Sequence, residues 1–254
     1  MPPCPGGDVS LQNLPTTLYN AVVHPLAPYA LSGIVWYQGE SNTGNPAPYA
    51  DCLRKLMGSW RTLWQRPELP FCIVQLANYD GRQQTGMPSP ITPQPAPVNS
   101  NWARLREAQR TVAVNDPYAE LACIIDLGET VDIHPLRKRE VAERVALCFD
   151  RLVFGKKVSL APQPIRAEVQ GSDVTITFDQ PLQAGAIGEL EVASADGRFS
   201  NAEGEAQGNM VTIKSPIASP VKVRYAWKDA PSANLHGQNG LPASPFEKTL
   251  NVEH

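Results

Sequence analysis

The sequence predicts an α/β domain with a parallel sheet, followed by a small antiparallel β-sandwich. Three observations carry this. Over the first part of the chain, short apolar runs alternate with segments whose apolar residues recur at helical spacing, the order expected of parallel strands joined by helices. From about Ile165 the period falls to two, as in half-buried strands. The change occurs within Lys156–Pro164, which marks a boundary between one domain at 1–158 and another at 159–254.

Each element has its own signal. Leu31–Tyr37 is a β-branched, apolar run and reads as a buried strand. A loop rich in Gly, Asn, Ser and Pro follows, from Gln38 to Pro48. Tyr49, Leu53, Leu56, Trp60 and Leu63 then recur as on one helix face. Phe71–Leu76 is a second buried strand, and Asn78–Ser100 a long loop, of the kind that is usually functional or mobile. Trp102, Leu105, Gln109 and Val112 mark another helix, and Leu121–Leu127 a third strand. Val141, Val145, Cys148 and Leu152 give a last helix, ending near Gly155. Beyond the boundary, alternation is read at 165–169, 174–178, 190–192, 211–213 and 221–227, with turn signals at Gly171-Ser-Asp173 and Asp196-Gly197.

Composition excludes several classes. The chain has 254 residues and a formal net charge of −3, so no Lys/Arg stripe is available to neutralise phosphates, and nucleic acid is not an expected partner. No apolar run approaches the ~18 residues of a membrane helix, so no membrane partner is expected. Met1–Gly7 has neither the charged nor the apolar region of a signal peptide. Prolines number 25, roughly twice the usual ~5%, and they punctuate loops rather than form one tail. The five cysteines show no C-x-x-C spacing, which argues against a zinc or redox motif, and Cys72, Cys123 and Cys148 lie in apolar runs where a thiol packs as a small hydrophobe.

Ligands of parallel sheets bind at the carboxyl ends of the strands, and two loops there carry polar chemistry. One holds Asp132-Ile-His134-Pro135; a carboxylate two residues from a histidine can fix its tautomer and stabilise its charged form, the orienting role of the acid in serine hydrolases. The other is Gln38-Gly39-Glu40-Ser41-Asn42, where a side-chain amide beside free backbone N–H groups makes an oxyanion donor set. The same loop also reads as a helix entry capped by Ser41 or Asn42. His24 reads as a core or capping histidine, His236 as exposed, and Glu107 with Arg110 as a solvated face.

Taken together, these blocks resemble the sialate O-acetylesterases, a carbohydrate-esterase branch of the SGNH (GDSL-like) hydrolases. The resemblance is carried by Leu18–Leu26, Gly33–Asn42, Leu69–Phe71 with Val74–Asn78, Trp102–Gln109, Ile125–Gly128 with Asp132–Pro135, Val223–Trp227, Asn234-Leu235 and Gly240–Phe246, in order along nearly the whole chain. It implies a partial SGNH three-layer α/β domain and an ester hydrolase that removes O-acetyl groups from sialic acids through an acyl-serine. An acetylxylan or other acetyl-sugar esterase, and a non-catalytic carbohydrate-binding fragment, are the alternatives. His134 would then be general base and acid, with Asp132 orienting it and Glu40 a rival for the acid role. Gln38, Gly39 and Asn42 would bind oxyanion or substrate. No cofactor or metal is implied, and a secreted, periplasmic or lysosomal setting is. The family's nucleophile lies in a Gly-Gln-Ser-like block upstream of the segment matched by Leu18; no such block stands here, and Ser10 has no glycine elbow. The expected partners are thus an acetylated carbohydrate and an N-terminal complementary chain or segment that bears the serine. Ser41 is the other candidate, but its loop matches the oxyanion block.

Overall fold

The computed structural model describes residues 14–80, 99–129 and 132–252, so most of the predicted Asn78–Ser100 loop lies outside the described residues. A π-helical turn at Tyr19–Val23 runs into the short α1 (His24–Leu26), and neither buries a residue. The first sheet follows. Its strands β1 (Ile34–Tyr37), β2 (Phe71–Val74) and β3 (Ala119–Ala122) lie in the order β1-β2-β3 and all pair in parallel. α2 (Tyr49–Leu63) links β1 to β2, α3 (Asn101–Val114) links β2 to β3, and α4 (Lys138–Leu152) follows β3.

Side-chain alternation along β2 sets the layers. Phe71 and Ile73 pack with Leu53 and Met57 of α2 and with Leu105 and Val112 of α3. Cys72 and Val74 face the other way, onto Val141 and Cys148 of α4. The result is a three-layer α/β unit, with α2 and α3 on one face and α4 on the other. All four β2 residues are fully buried, which explains why that strand reads as continuously apolar. β3 is shorter than the predicted Leu121–Leu127 run. Past Ala122 the chain turns, with the Leu127 N–H donating to the Ile124 carbonyl, while the Cys123 carbonyl accepts from Arg144. Its apolar residues stay buried, but not in a ladder.

The second unit contains β4 (Pro164–Gln170), β5 (Asp173–Phe178), β6 (Gly185–Ala193), β7 (Phe199–Gln207), β8 (Met210–Lys214), β9 (Lys222–Tyr225), β10 (Phe246–Thr249) and β11 (Asn251–Val252). They form one eight-stranded sheet in the order β10-β9-β6-β7-β8-β5-β4-β11. All pairs are antiparallel except the β4–β11 pair. β10 and β11 sit at opposite ends of this order, yet only Leu250 separates them in sequence, so the sheet curls round onto itself. Phe178 of β5 and Phe246 of β10 meet across the enclosed core at 6.0 Å. The sandwich-like core expected from the alternation is therefore closed by a single sheet. β7 was not anticipated, because it buries only Ala202 and Ala206 and leaves no large apolar residue to mark its period.

The two units are locked together. Gln75, just past β2, donates to Ser244 Oγ at 2.7 Å, and the Tyr79 N–H donates to the Asp229 carbonyl. Arg106 of α3 is fully buried and donates to the carbonyls of Leu76, Ala77, Lys228 and Asp229 at 2.6–2.9 Å. Burial pulls the Arg106 pKa down to about 10, so the guanidinium is still charged at neutral pH.

Candidate functional site

Because β1, β2 and β3 are parallel, their carboxyl ends share one edge of the sheet, and the loops of interest emerge there. After β1, Gly39 adopts φ 153° and leads into a 3₁₀ turn at Glu40–Asn42. A Cβ at Gly39 would lie 2.8 Å from Leu105 Cδ2 and 3.3 Å from Gln109 Nε2, so a side chain is excluded both by conformation and by space. The Asn42 N–H donates to the Gly39 carbonyl at 2.8 Å, and Gln38 Nε2 donates to Asn42 Oδ1 at 2.7 Å. The Gln38 carbonyl accepts twice from the core, from Tyr49 Oη at 2.9 Å and Gln109 Nε2 at 3.0 Å. Gln109 is held in turn: its Oε1 accepts the Leu76 N–H at 2.9 Å.

Glu40 begins the 3₁₀ turn and is half-buried. Its charge lies near Tyr37 and Tyr49, where it adds to the larger effect of burial in raising both phenol pKa values. Ser41 is exposed. The capping alternative for this loop does not hold: α2 begins at Tyr49 after Pro48, and no side chain caps it.

The loop after β3 is tied to the ends of its neighbours. The Gly128 N–H donates to Asn78 Oδ1 at 2.9 Å, and a Cβ at Gly128 would lie 2.2 Å from the Asn78 carbonyl oxygen. Further on, Asp132 Oδ1 accepts the His134 backbone N–H at 2.8 Å and lies 3.4 Å from His134 Nδ1. The first is an Asx-type turn bond. The second is an ion-pair distance, longer than a closed N–H···O bond. The His134 side chain is 84% exposed and that of Asp132 51%.

Two groups thus form at the same sheet edge, Gln38–Gly39–Asn42 and Asp132–His134. Lys138, four residues after His134, places its Nζ 5.1 Å from the Tyr37 ring centroid at the end of β1. Among the described residues, no hydrogen bond joins His134 directly to the Gln38 loop or to a serine. A cavity of about 730 Å³ lies elsewhere, on the outer face of β4, β5, β7 and β8.

Other polar residues differ from their sequence reading. Arg110 is buried and bonds Glu107 at 2.6 and 2.7 Å, so this pair is not a solvated face. His24 is exposed, with an edge contact to Tyr19 rather than a core position. His236 is half-buried, in a bridge to Pro242. Tyr49 and Gln109 carry the helical period of α2 and α3 and also hold the Gln38 carbonyl, a role that their spacing alone does not signal. The available signal was a glutamine on an otherwise apolar stripe.

A family model described as carbohydrate esterase, sialic acid-specific acetylesterase, matches residues 3–116. Sialate O-acetylesterase of Mus musculus is 26% identical over 265 residues, covering 91% of this chain and 47% of that protein. The Homo sapiens protein of the same name is 27% identical over 261 residues, covering 91% of this chain and 48% of its own length. A solved carbohydrate acetylesterase from Xanthomonas citri superposes with a TM-score of 0.81 at 36% identity, over 92% of this chain and 54% of that one. The chain spans about half the length of the curated relatives it matches. Together these likenesses support a distant relationship to the SGNH-type sialate O-acetylesterases, within the carboxylic ester hydrolases.

Proposed function

We propose that this chain carries the oxyanion-binding and acid–base part of an ester hydrolase that removes O-acetyl groups from sialic acids or related acetylated sugars. The observation that carries the reading is the Asp132–His134 pair, with its 2.8 and 3.4 Å contacts, at the same sheet edge as the Gln38–Gly39 turn.

In this reading a serine from an N-terminal complementary segment attacks the acetyl carbonyl carbon. His134 takes the hydroxyl proton as the C–O bond forms. The carbonyl oxygen becomes an oxyanion, stabilised by donors from Gln38 and Gly39, with Asn42 holding the Gln38 amide. Collapse expels the sugar alkoxide, which takes the proton back from the His134 imidazolium. Water then repeats the sequence on the acetyl-serine, and acetate leaves. Asp132 orients His134 and stabilises its charged form; Glu40 is the competing acid. No cofactor takes part.

One observation favours a broader substrate. The relative with the higher identity is named a carbohydrate acetylesterase, with no sugar specified. The test is acetate release from O-acetylated sialic acid and from acetylated xylan, by the chain alone and with the complementary segment, each beside His134→Ala. The expected result is turnover that falls by about 10²–10⁴ on that change, the usual size of a general-base contribution. Turnover by the chain alone, lost on His134→Ala, would move the nucleophile to Ser41. Turnover indifferent to His134 would reject the reading.

A further inference from the structure

We infer that Tyr49 and Gln109 are positioning residues that aim the Gly39 backbone N–H at the developing oxyanion; this rests on the reading of the site above and deepens it. Gln38 and Gly39 share one planar peptide unit, whose C=O and N–H point in opposite directions when trans. The C=O of that unit is fixed from inside the protein by Tyr49 Oη at 2.9 Å and Gln109 Nε2 at 3.0 Å. The Gly39 N–H therefore faces away from the buried network, and it has no acceptor among the described residues.

Neither anchor is free to turn. The Gln109 amide cannot flip, because its Oε1 accepts the Leu76 N–H at 2.9 Å. Tyr49 Oη accepts from Trp36 Nε1 at 3.3 Å, which leaves its own proton for Gln38. Both side chains are buried, Tyr49 on α2 and Gln109 on α3, so each helix holds the donor from one side. The absent Cβ at Gly39 allows Leu105 to close the space behind the peptide. A donor fixed before the reaction needs no reorganisation as charge develops, which is what makes such groups effective.

Acetate, the carboxylate that the proposed reaction releases, is a direct probe. In the full chain, the Gly39 amide resonance is followed by ¹H–¹⁵N NMR as sodium acetate is added, for wild type, Tyr49→Phe and Gln109→Met. The expected result is a saturable Gly39 shift in wild type. Its apparent affinity should fall at least about fivefold in each variant while the spectrum elsewhere stays native. With the complementary segment present, kcat should fall about tenfold or more with KM within about twofold, the signature of an interaction made only in the transition state. A Gly39 amide that ignores acetate in wild type, or that responds equally in both folded variants, would overturn the inference. Absence of His134-dependent acetate release would instead defeat the reading of the site, and leaves the Gly39 titration standing as a test of positioning.

Discussion

The guanidinium of Arg106 donates to the Asp229 carbonyl at 2.7 Å and so ties α3 to the segment that follows β9. With its bonds to Leu76, Ala77 and Lys228, it spends a buried cation on joining two sheets. Leu76, one of the other acceptors of Arg106, is also the residue whose N–H holds Gln109.

Arg106→Leu should therefore be strongly destabilising. It removes the guanidinium donors from four carbonyl oxygens; the Asp229 carbonyl keeps the Tyr79 N–H, while the carbonyls of Leu76, Ala77 and Lys228 lose their bond to the side chain. By the cost of breaking buried charged hydrogen bonds, the loss is about 3–5 kcal/mol. Arg106→Lys keeps the charge but not the fork, and should recover only part of it. Urea unfolding of both variants checks this; a loss under about 1 kcal/mol for Arg106→Leu contradicts the clamp.

Gly39→Ala should cost about 1–3 kcal/mol, because it imposes a strained conformation and a clash with Leu105 together. Gly44→Ala, a few residues on, meets nothing within 4 Å and should stay within about 0.5 kcal/mol of wild type. Thermal unfolding of the two variants side by side separates them. Equal midpoints would show that the Gly39 turn is not constrained as described.

Thiol reactivity should follow burial. Cys72, Cys123 and Cys148 are buried, and Cys52 is exposed. Burial pushes the Cys123 thiol up to about 12, so almost none is thiolate at pH 8. Brief alkylation of the native chain should label Cys52 and spare Cys72, Cys123 and Cys148 until denaturant is added. Peptide mass mapping reads this directly. Rapid native labelling of Cys123 would mean that the space around Ile125 and Ala161 opens.

The first sheet was legible because β2 is buried on both faces and its neighbours are short apolar runs between helix-period segments. The second was legible wherever large residues alternate, as in Val174, Ile176 and Phe178. β7 escaped because alanine alone marks its buried face. The loops of the candidate site were legible by their place after strands, since Gly, Asn, Ser and Asp in clusters favour turns over extended pairing. Their supports were not. Arg106, Gln109 and Arg110 are buried polar residues on one helix, and polarity at helical spacing looks the same whether water or backbone carbonyls satisfy it. Only the fold brings the Leu76 N–H to Gln109 Oε1, or the Asp229 carbonyl to Arg106.

The central claim is that the loops after β1 and β3 act as one reaction centre. The most direct measurement is a double-mutant cycle on acetate release from an O-acetylated sugar, using Gln38→Ala, His134→Ala and both changes, with the complementary segment supplied. Residues that act as a unit are not additive. The account predicts that each single change lowers kcat by about 10² or more, and that the double variant is little worse than His134→Ala alone. Effects that simply multiply, or activity that survives His134→Ala, would contradict it.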